Sequence, residues 1–226
     1  LIDLDTHTPA IATLLGVAEP TAALLGCARL IRQGRFDREQ FDRLSINFTH
    51  RSGGFRAITG LSTSKRWGEV TEDTVNQLLN FARLEFEIVV LDVASELEEN
   101  LSSPNQISSR NSATRTAINK SDLSLVALNA SEVSISRYLN VFSELQELQK
   151  NRKVILNRSE PRPKISEALR SLTKEAIFAS IPEDQLSFEL SESEHLPLAL
   201  ARRKSPARNA IALLANKLLE CPPLVN

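Results

Sequence analysis

Four consecutive apolar residues, Ile88 to Leu91, run without polar alternation into Asp92 and the small residues that follow it in EIVVLDVAS. An unbroken apolar run of strand length belongs to a strand covered on both faces, so a central strand of a parallel sheet flanked by helices is expected, ending at Asp92. Just upstream, TEDT at 71–74 offers a cap and an acidic first turn. Val75, Leu78, Leu79, Ala82 and Phe86 then recur at three- and four-residue spacing. That pattern predicts a helix from Thr71 to about Glu85 that leads straight into the Asp92 strand, the helix-then-strand crossover that parallel sheets need.

The same alternation extends in both directions. LIDLDTHTP at 1–9 reads as a strand broken at a Thr/Pro pair, followed by a helix from Ala10 with Ile11, Leu14 and Leu15 on one face. A break at Glu19-Pro20 precedes a second helix from Thr21 to about Gln33. Residues 34–54 are polar and mixed, with a short helical pattern around Glu39 to Leu44, and Phe55 to Leu61 is a short strand ending near a glycine. Trp67 lies in the following loop and is expected to fold over the core. Ser95 to Asn111 is polar and aperiodic, as expected of a functional or mobile loop. Beyond it, strands are expected at Leu123–Ala130, Lys153–Arg158 and Ala176–Pro182. Helices are expected at Ser134–Lys150, Lys164–Thr173 and Ser205–Leu219, with Ala207, Ile211, Leu214 and Leu218 of the last one facing inward. Strands alternating with helices throughout imply one α/β domain over residues 1–226, a doubly wound, mostly parallel sheet with helices on both faces.

Composition narrows the classes. With 226 residues and 42% hydrophobic content the chain can bury a sizeable core. A net charge of -1 gives no global pull toward nucleic acid. Cys27 and Cys221 have no metal-type spacing, and His7, His50 and His195 are scattered, so a reducing, cytoplasmic setting is expected and His7 reads as a loop residue rather than a ligand. No apolar run reaches membrane-spanning length. The chain contains no methionine and opens in mid-strand, which reads as a start lying further upstream.

Three carboxylates stand out. Asp3 and Asp5, two apart on a strand, face one side, where each makes the other costlier to ionise unless a cation or donors compensate. Asp92 falls at a strand's carboxyl end, where ligands of open α/β sheets bind. Together they have the oxygen-donor character of a magnesium site that shares its metal with phosphate. Read singly, each also serves as a cap or a solvated strand end. Asn157 closes the Lys153 strand and offers both acceptor and donors, the pairing an adenine edge requires; its plain alternative is a cap.

LIDLDTHTP, EIVVLDVAS, ILNR at 155–158, SIPED at 180–184 and the closing LPLALARRKSPARNAIALLANKL together resemble the MinD/ParA branch of P-loop ATPases, CpaE-like members above all. The likeness runs through the whole chain in order, and its specificity lies in that order. It implies ATP and Mg2+ as cofactors, with Asp3 and Asp5 in the switch that holds magnesium and the attacking water. Asp92 matches the Walker B aspartate. The base would be read by Asn157 with Arg158 and lined by Ile181, Pro182 and Glu183. The implied function is an ATP-dependent positioning switch, with slow hydrolysis coupled to homodimerisation and protein partners in a localisation machine for a pilus, chromosome or division site.

The departures from that pattern matter as much. The glycine- and lysine-rich phosphate loop of the family is not in these residues, and its backbone N–H groups and lysines are what cradle the phosphates. These residues alone are therefore expected to lack activity, and the sheet to miss a central strand, which would expose apolar surface beside the Asp3 and Asp92 strands. The segment after Asp92 reads VAS, without the glycine usual there, which puts the second switch in doubt. The alternative is therefore a non-hydrolysing scaffold that keeps the fold to dimerise and recruit partners. A phospho-accepting receiver domain is disfavoured, being about half this length and needing an adjacent acid pair and a late lysine. Arg202, Arg203, Lys204 and Arg208 read as a solvated face rather than a DNA surface, and the CPPLVN ending cannot continue an amphipathic membrane helix.

Overall fold

The computed structural model describes residues 1–17, 22–51, 53–98, 109–159 and 163–220, the side chains of Pro163 and Lys164 excepted. The Glu19-Pro20 break, most of the polar stretch after Asp92, Cys221 and the terminal prolines lie outside the described residues. The chain groups into two compact units, Leu1–Lys120 and Ser121–Asn226.

In the first unit, β1 (Ile2–Asp3) is followed by α1 (Ile11–Leu14), α2 (Ala23–Arg32) and α3 (Arg38–Leu44). Then come β2 (Ile46–His50), β3 (Gly53–Ala57), a 3-10 helix at Ser64–Glu69, α4 (Glu72–Glu85), β4 (Leu91–Asp92) and α5 (Ser112–Lys120). β1 pairs in parallel with β4, in the register Ile2 with Leu91 and Asp3 with Asp92. On its other side β1 meets Ile58 through Asp3 N donating to Ile58 O and Ile58 N donating to Leu1 O. The inner strand of this unit is thus β1. The Asp92 strand, expected to be central, is an edge among the described residues, and Ile88 and Val90 stay 61% and 57% exposed. The reason is the side-chain period of two: Val89, Leu91 and Val93 lean on the core, while Ile88 and Val90 face away from it.

Leu4, Leu24, Ile58, Val75 and Leu78 are wholly buried in that core. Helix α4 forms as its pattern predicts. Thr71 caps it by accepting from Thr74 N, and Val75, Leu78, Leu79 and Ala82 are its buried positions. Burying residues of this size stabilises the fold by about 1.5–3 kcal/mol each for the larger ones. Trp67 packs half-buried against the same core. A hairpin that the mixed segment 34–54 does not announce joins β2 antiparallel to β3, with Phe48 stacked on Phe55 at 5.0 Å between ring centroids. The pair is an aromatic cross-strand contact, which fixes the hairpin register.

The second unit contains β5 (Ser124–Asn129), α6 (Glu132–Leu148), β6 (Arg152–Asn157), α7 (Pro163–Thr173), β7 (Ile177–Ser180), α8 (Gln185–Glu194), α9 (Leu198–Ala201) and α10 (Pro206–Glu220). Its three strands pair in parallel in the order β5-β6-β7, with Asn129 opposite Asn157. Val154, Ile155 and Leu156 are buried, and Ala207 and Leu214 of α10 pack beside Ile155 and Ile181. Ile211, expected to face inward, is 38% exposed. Between β6 and β7, Arg152 and Tyr138 converge on Glu175: Arg152 pairs with it at 2.6 Å and the Tyr138 hydroxyl donates to it. Burial and the Glu175 carboxylate push the Tyr138 hydroxyl well above its ordinary range. Parallel strands joined through helices in both units bear out the mixed α/β class.

Candidate functional site

β1 ends in a chain reversal built from its own aspartates. Asp3 is fully buried; its Oδ2 accepts from Ala10 N and Ile11 N, both at 3.1 Å, and its Oδ1 from Asp5 N at 3.2 Å. One carboxylate therefore satisfies two orphan amides at the start of α1 and tightens the turn before it. Asp5 acts over a shorter range: Oδ1 accepts from His7 N and Thr8 N at 2.7 and 2.9 Å, and Oδ2 from Thr8 Oγ1 at 3.0 Å. This is the aspartate-led turn that Asp favours at strand ends. Gly60 lies against the reversal so tightly that a Cβ there would meet Asp3 Cγ at 2.8 Å and Pro9 Cβ at 2.7 Å.

Asp92 differs from its neighbours. It lies opposite Asp3 in the parallel register, and its side chain accepts no hydrogen bond among the described residues. Burial, then the Asp5 charge, push its carboxyl above the ordinary range. Asp3 is also raised, chiefly by burial and further by Asp92, against the lowering pull of the Ile11, Asp5 and Ala10 amides. The Asp92 charge thus works against the ionisation of Asp3, and the Asp5 charge against that of Asp92; Asp5 itself, expected beside Asp3 on the strand, lies beyond β1 in the turn. A cavity of about 250 Å³ opens beside Asp3, lined also by His7, Thr13, Gly60, Ser62 and Thr63; Asp5 and Asp92 are not among its lining residues.

Whether a cation suits this donor set turns on which oxygens are free. Among the described residues no group of three His, Cys, Asp or Glu side chains is placed to hold a metal ion by itself. Magnesium in phosphate sites takes only one or two protein carboxylates and draws its other ligands from water and phosphate. Asp92, uncommitted and disfavoured as a bare anion, fits that part; the oxygens of Asp3 and Asp5 are already engaged by amides and a hydroxyl.

In the second unit the carboxyl ends of β6 and β7 lie side by side. Ile181 N donates to Leu156 O at 2.7 Å and Ser159 N to Ile181 O at 3.0 Å, which brings Asn157 and Arg158 next to the Ile181–Glu183 turn. The chain swings away through Arg158, whose φ is +49°, and Arg158 N donates to Asn157 Oδ1 at 3.0 Å. The Asn157 amide nitrogen carries no hydrogen bond among the described residues and is free to donate. Asp184, one residue on, is a structural anchor: it accepts from Ser205 Oγ at 2.5 Å and Ser187 Oγ at 2.7 Å, and from Ala207 N at 3.5 Å. The hydroxyls of Ser205 and then Ser187 hold its carboxyl below the ordinary range.

Two residues near the acidic reversal gave no sequence signal. His7, a loop residue by its spacing, donates its ring to Asn111, and Asn111 belongs to a polar stretch without periodicity. Only the D-x-H-T spacing after a strand could have flagged the turn that carries His7.

No protein-family model matches the chain, and no curated protein matches it. Solved structures do. A ParA family ATPase from Chlorobium tepidum TLS superposes with a TM-score of 0.78 at 16% identity, covering 95% of this chain and 84% of that one. The cell division ATPase MinD of Pyrococcus furiosus gives 0.71 at 16% identity, covering 97% and 84%. The MinD cell division protein of Aquifex aeolicus gives 0.65 at 18%, covering 100% and 85%. The fold is that of the MinD and ParA ATPases. The acidic reversal and the Asn157 strand end each stand, within their own unit, at the carboxyl end of a parallel strand, the kind of position at which open α/β sheets bind ligands. Among the described residues no helix is long and apolar enough to cross a membrane.

Proposed function

We propose that this chain belongs to an ATP-dependent positioning switch of the MinD/ParA type, in which ATP binding and slow hydrolysis are coupled to homodimerisation. The observation that supports it is the parallel register setting Asp3 beside Asp92 on this fold, with Asp92 left uncommitted. In this reading Asp92 anchors Mg2+, which when bound neutralises charge on the phosphates. Asp5 orients water from the turn it builds with His7 and Thr8, and Asp3 holds that turn in place. Asn157 reads the adenine edge, with Arg158, Ile181, Pro182 and Glu183 around the base. The CpaE-like assignment rests on the sequence resemblance. A protein partner in a localisation machine is in keeping with a neighbour described as the MinC:MinD complex of Aquifex aeolicus, with TM-score 0.64 and 17% identity.

One observation favours a second reading, the non-hydrolysing scaffold: the oxygens of Asp3 and Asp5 are already satisfied by their own loop. Magnesium-dependent ATP turnover by the full-length protein separates the two. Turnover that disappears in Asp92→Asn, with the circular dichroism spectrum retained, supports the switch. ATP binding without turnover supports the scaffold, and turnover unchanged in Asp92→Asn overturns the assignment of Asp92.

A further inference from the structure

We propose that Asn111 is a positioning residue that couples the Asp5 turn to the segment following Asp92, so that a shift in either is passed to the other. Asn111 is buried, at 6% exposure, just before α5. Its Nδ2 donates to Glu98 O at 2.8 Å, and its Oδ1 lies 2.8 Å from His7 Nε2. A backbone carbonyl can only accept, so the amide must turn its nitrogen toward Glu98 and its oxygen toward His7. His7 therefore donates from Nε2, which fixes the tautomer of its neutral ring.

His7 is itself tied to Asp5, its backbone N–H donating to Asp5 Oδ1 at 2.7 Å. The chain of bonds runs from the Asp5 carboxylate through His7 and Asn111 to Glu98, six residues after Asp92. Neighbouring bonds stiffen both ends of it. Thr6 Oγ1 donates to Arg110 O and Arg110 Nη2 to Thr6 O, both at 3.2 Å, and Arg115 Nη1 donates to Leu97 O at 2.9 Å. Thr6 is 1% exposed. Hydrogen bonds out of water are costly to leave half-made, so breaking one link is felt by the groups at both of its ends. The turn that carries Asp5 and the segment that leaves Asp92 then share one anchor at the head of α5. The nucleotide reading supplies only the purpose of this coupling; the bonds and their test need no nucleotide.

The test is NMR on the ligand-free protein, comparing amide exchange at His7 and Thr8, whose N–H groups donate to Asp5, with the 13C carbonyl shifts of Leu97 and Glu98, whose carbonyls accept from Arg115 and Asn111. Asn111→Ala is expected to speed exchange at His7 and Thr8 by about tenfold or more and to move the Glu98 carbonyl resonance. His7→Ala is expected to move the Leu97 and Glu98 carbonyl resonances, on the far side of Asn111, while the Thr6–Arg110 bonds keep its own loop in place. His7→Gln, whose amide can donate the same bond, is expected to restore shifts and rates close to those of the parent. Should Asn111→Ala not fold, the two His7 variants carry the test. An effect of His7→Ala confined to Thr6–Thr8, a His7→Gln that behaves like His7→Ala, or a uniform acceleration through α4 and α5 would each overturn the coupling.

Discussion

Two strand ends, one in each unit, present similar polar residues and spend them differently. At the end of β1, Asp3 and Asp5 are used up in building the reversal, and Asp92 on the neighbouring strand is left without a donor. At the ends of β6 and β7 the carboxylate of Asp184 is used up in anchoring α8 and α10, and the Asn157 amide nitrogen is left open. In each region a committed carboxylate holds the backbone, while among the described residues the Asp92 carboxylate in the one and the Asn157 amide nitrogen in the other make no hydrogen bond. A carboxylate at a strand end is therefore weak as a functional signal until its hydrogen-bond partners are known, because its first use is to satisfy nearby amides.

The strongest way to break this comparison is Asp3→Ala. It strands the Ala10 and Ile11 amides and empties a buried site, so a loss of about 3 kcal/mol is expected in urea unfolding. A loss under about 1 kcal/mol would show that the reversal does not depend on this carboxylate. Gly60→Ala comes next. Its new Cβ would press on Asp3 and Pro9, and about 1–3 kcal/mol of destabilisation is expected, with the acidic reversal displaced in a crystal structure of the variant.

In the second unit Ser205→Ala removes both the donor to Asp184 and the acceptor for Arg208 N at the start of α10, with an expected cost of about 1 kcal/mol by the same measurement. Asp92→Asn should act with the opposite sign. The Asp92 pKa is raised in the folded state, so folding disfavours its ionised form: its contribution is most favourable below the ordinary carboxylate range and is lost as pH rises through the raised value. The variant is therefore expected to melt higher than the parent at pH 7, with the gap closing toward pH 3. A lower melting temperature at pH 7 would mean that Asp92 is committed after all.

Asn157→Ala is the mildest change. It is expected to alter stability by less than about 0.5 kcal/mol, since among the described residues its side chain makes only the local bond to Arg158 N. In the full-length protein it should weaken ATP binding more than binding of bare triphosphate. Equal weakening of both would return Asn157 to a structural role.

Periodicity and capping rules, which act within a few residues, made much of the fold legible. The Thr71 cap, the buried positions of α4, the strand at 124–129 and the closing helix all follow from spacings of two, three and four. The β2–β3 hairpin was not read from the sequence: Ser-Gly-Gly at 52–54 marks a turn, but the mixed residues before it announce no strand, and the register is set by Phe48 against Phe55. Nor was the exposure of Ile88 and Val90, since an apolar run states what could be buried on each face and not which neighbours arrive to bury it. The positions of Asp3, Asp92 and Asn157 at strand ends were already set by the order of apolar and polar residues along the chain, whereas Asp5, expected on the strand beside Asp3, lies in the turn beyond it. Only the tertiary structure decided which of them remained free. Hydrogen-bond commitment depends on amides and hydroxyls brought in by folding: Ala10 and Ile11 to Asp3, Ser205 to Asp184, Glu98 and His7 to Asn111. The meeting of Asp3 with Asp92 is likewise a matter of strand register between segments far apart in sequence, which no local spacing encodes.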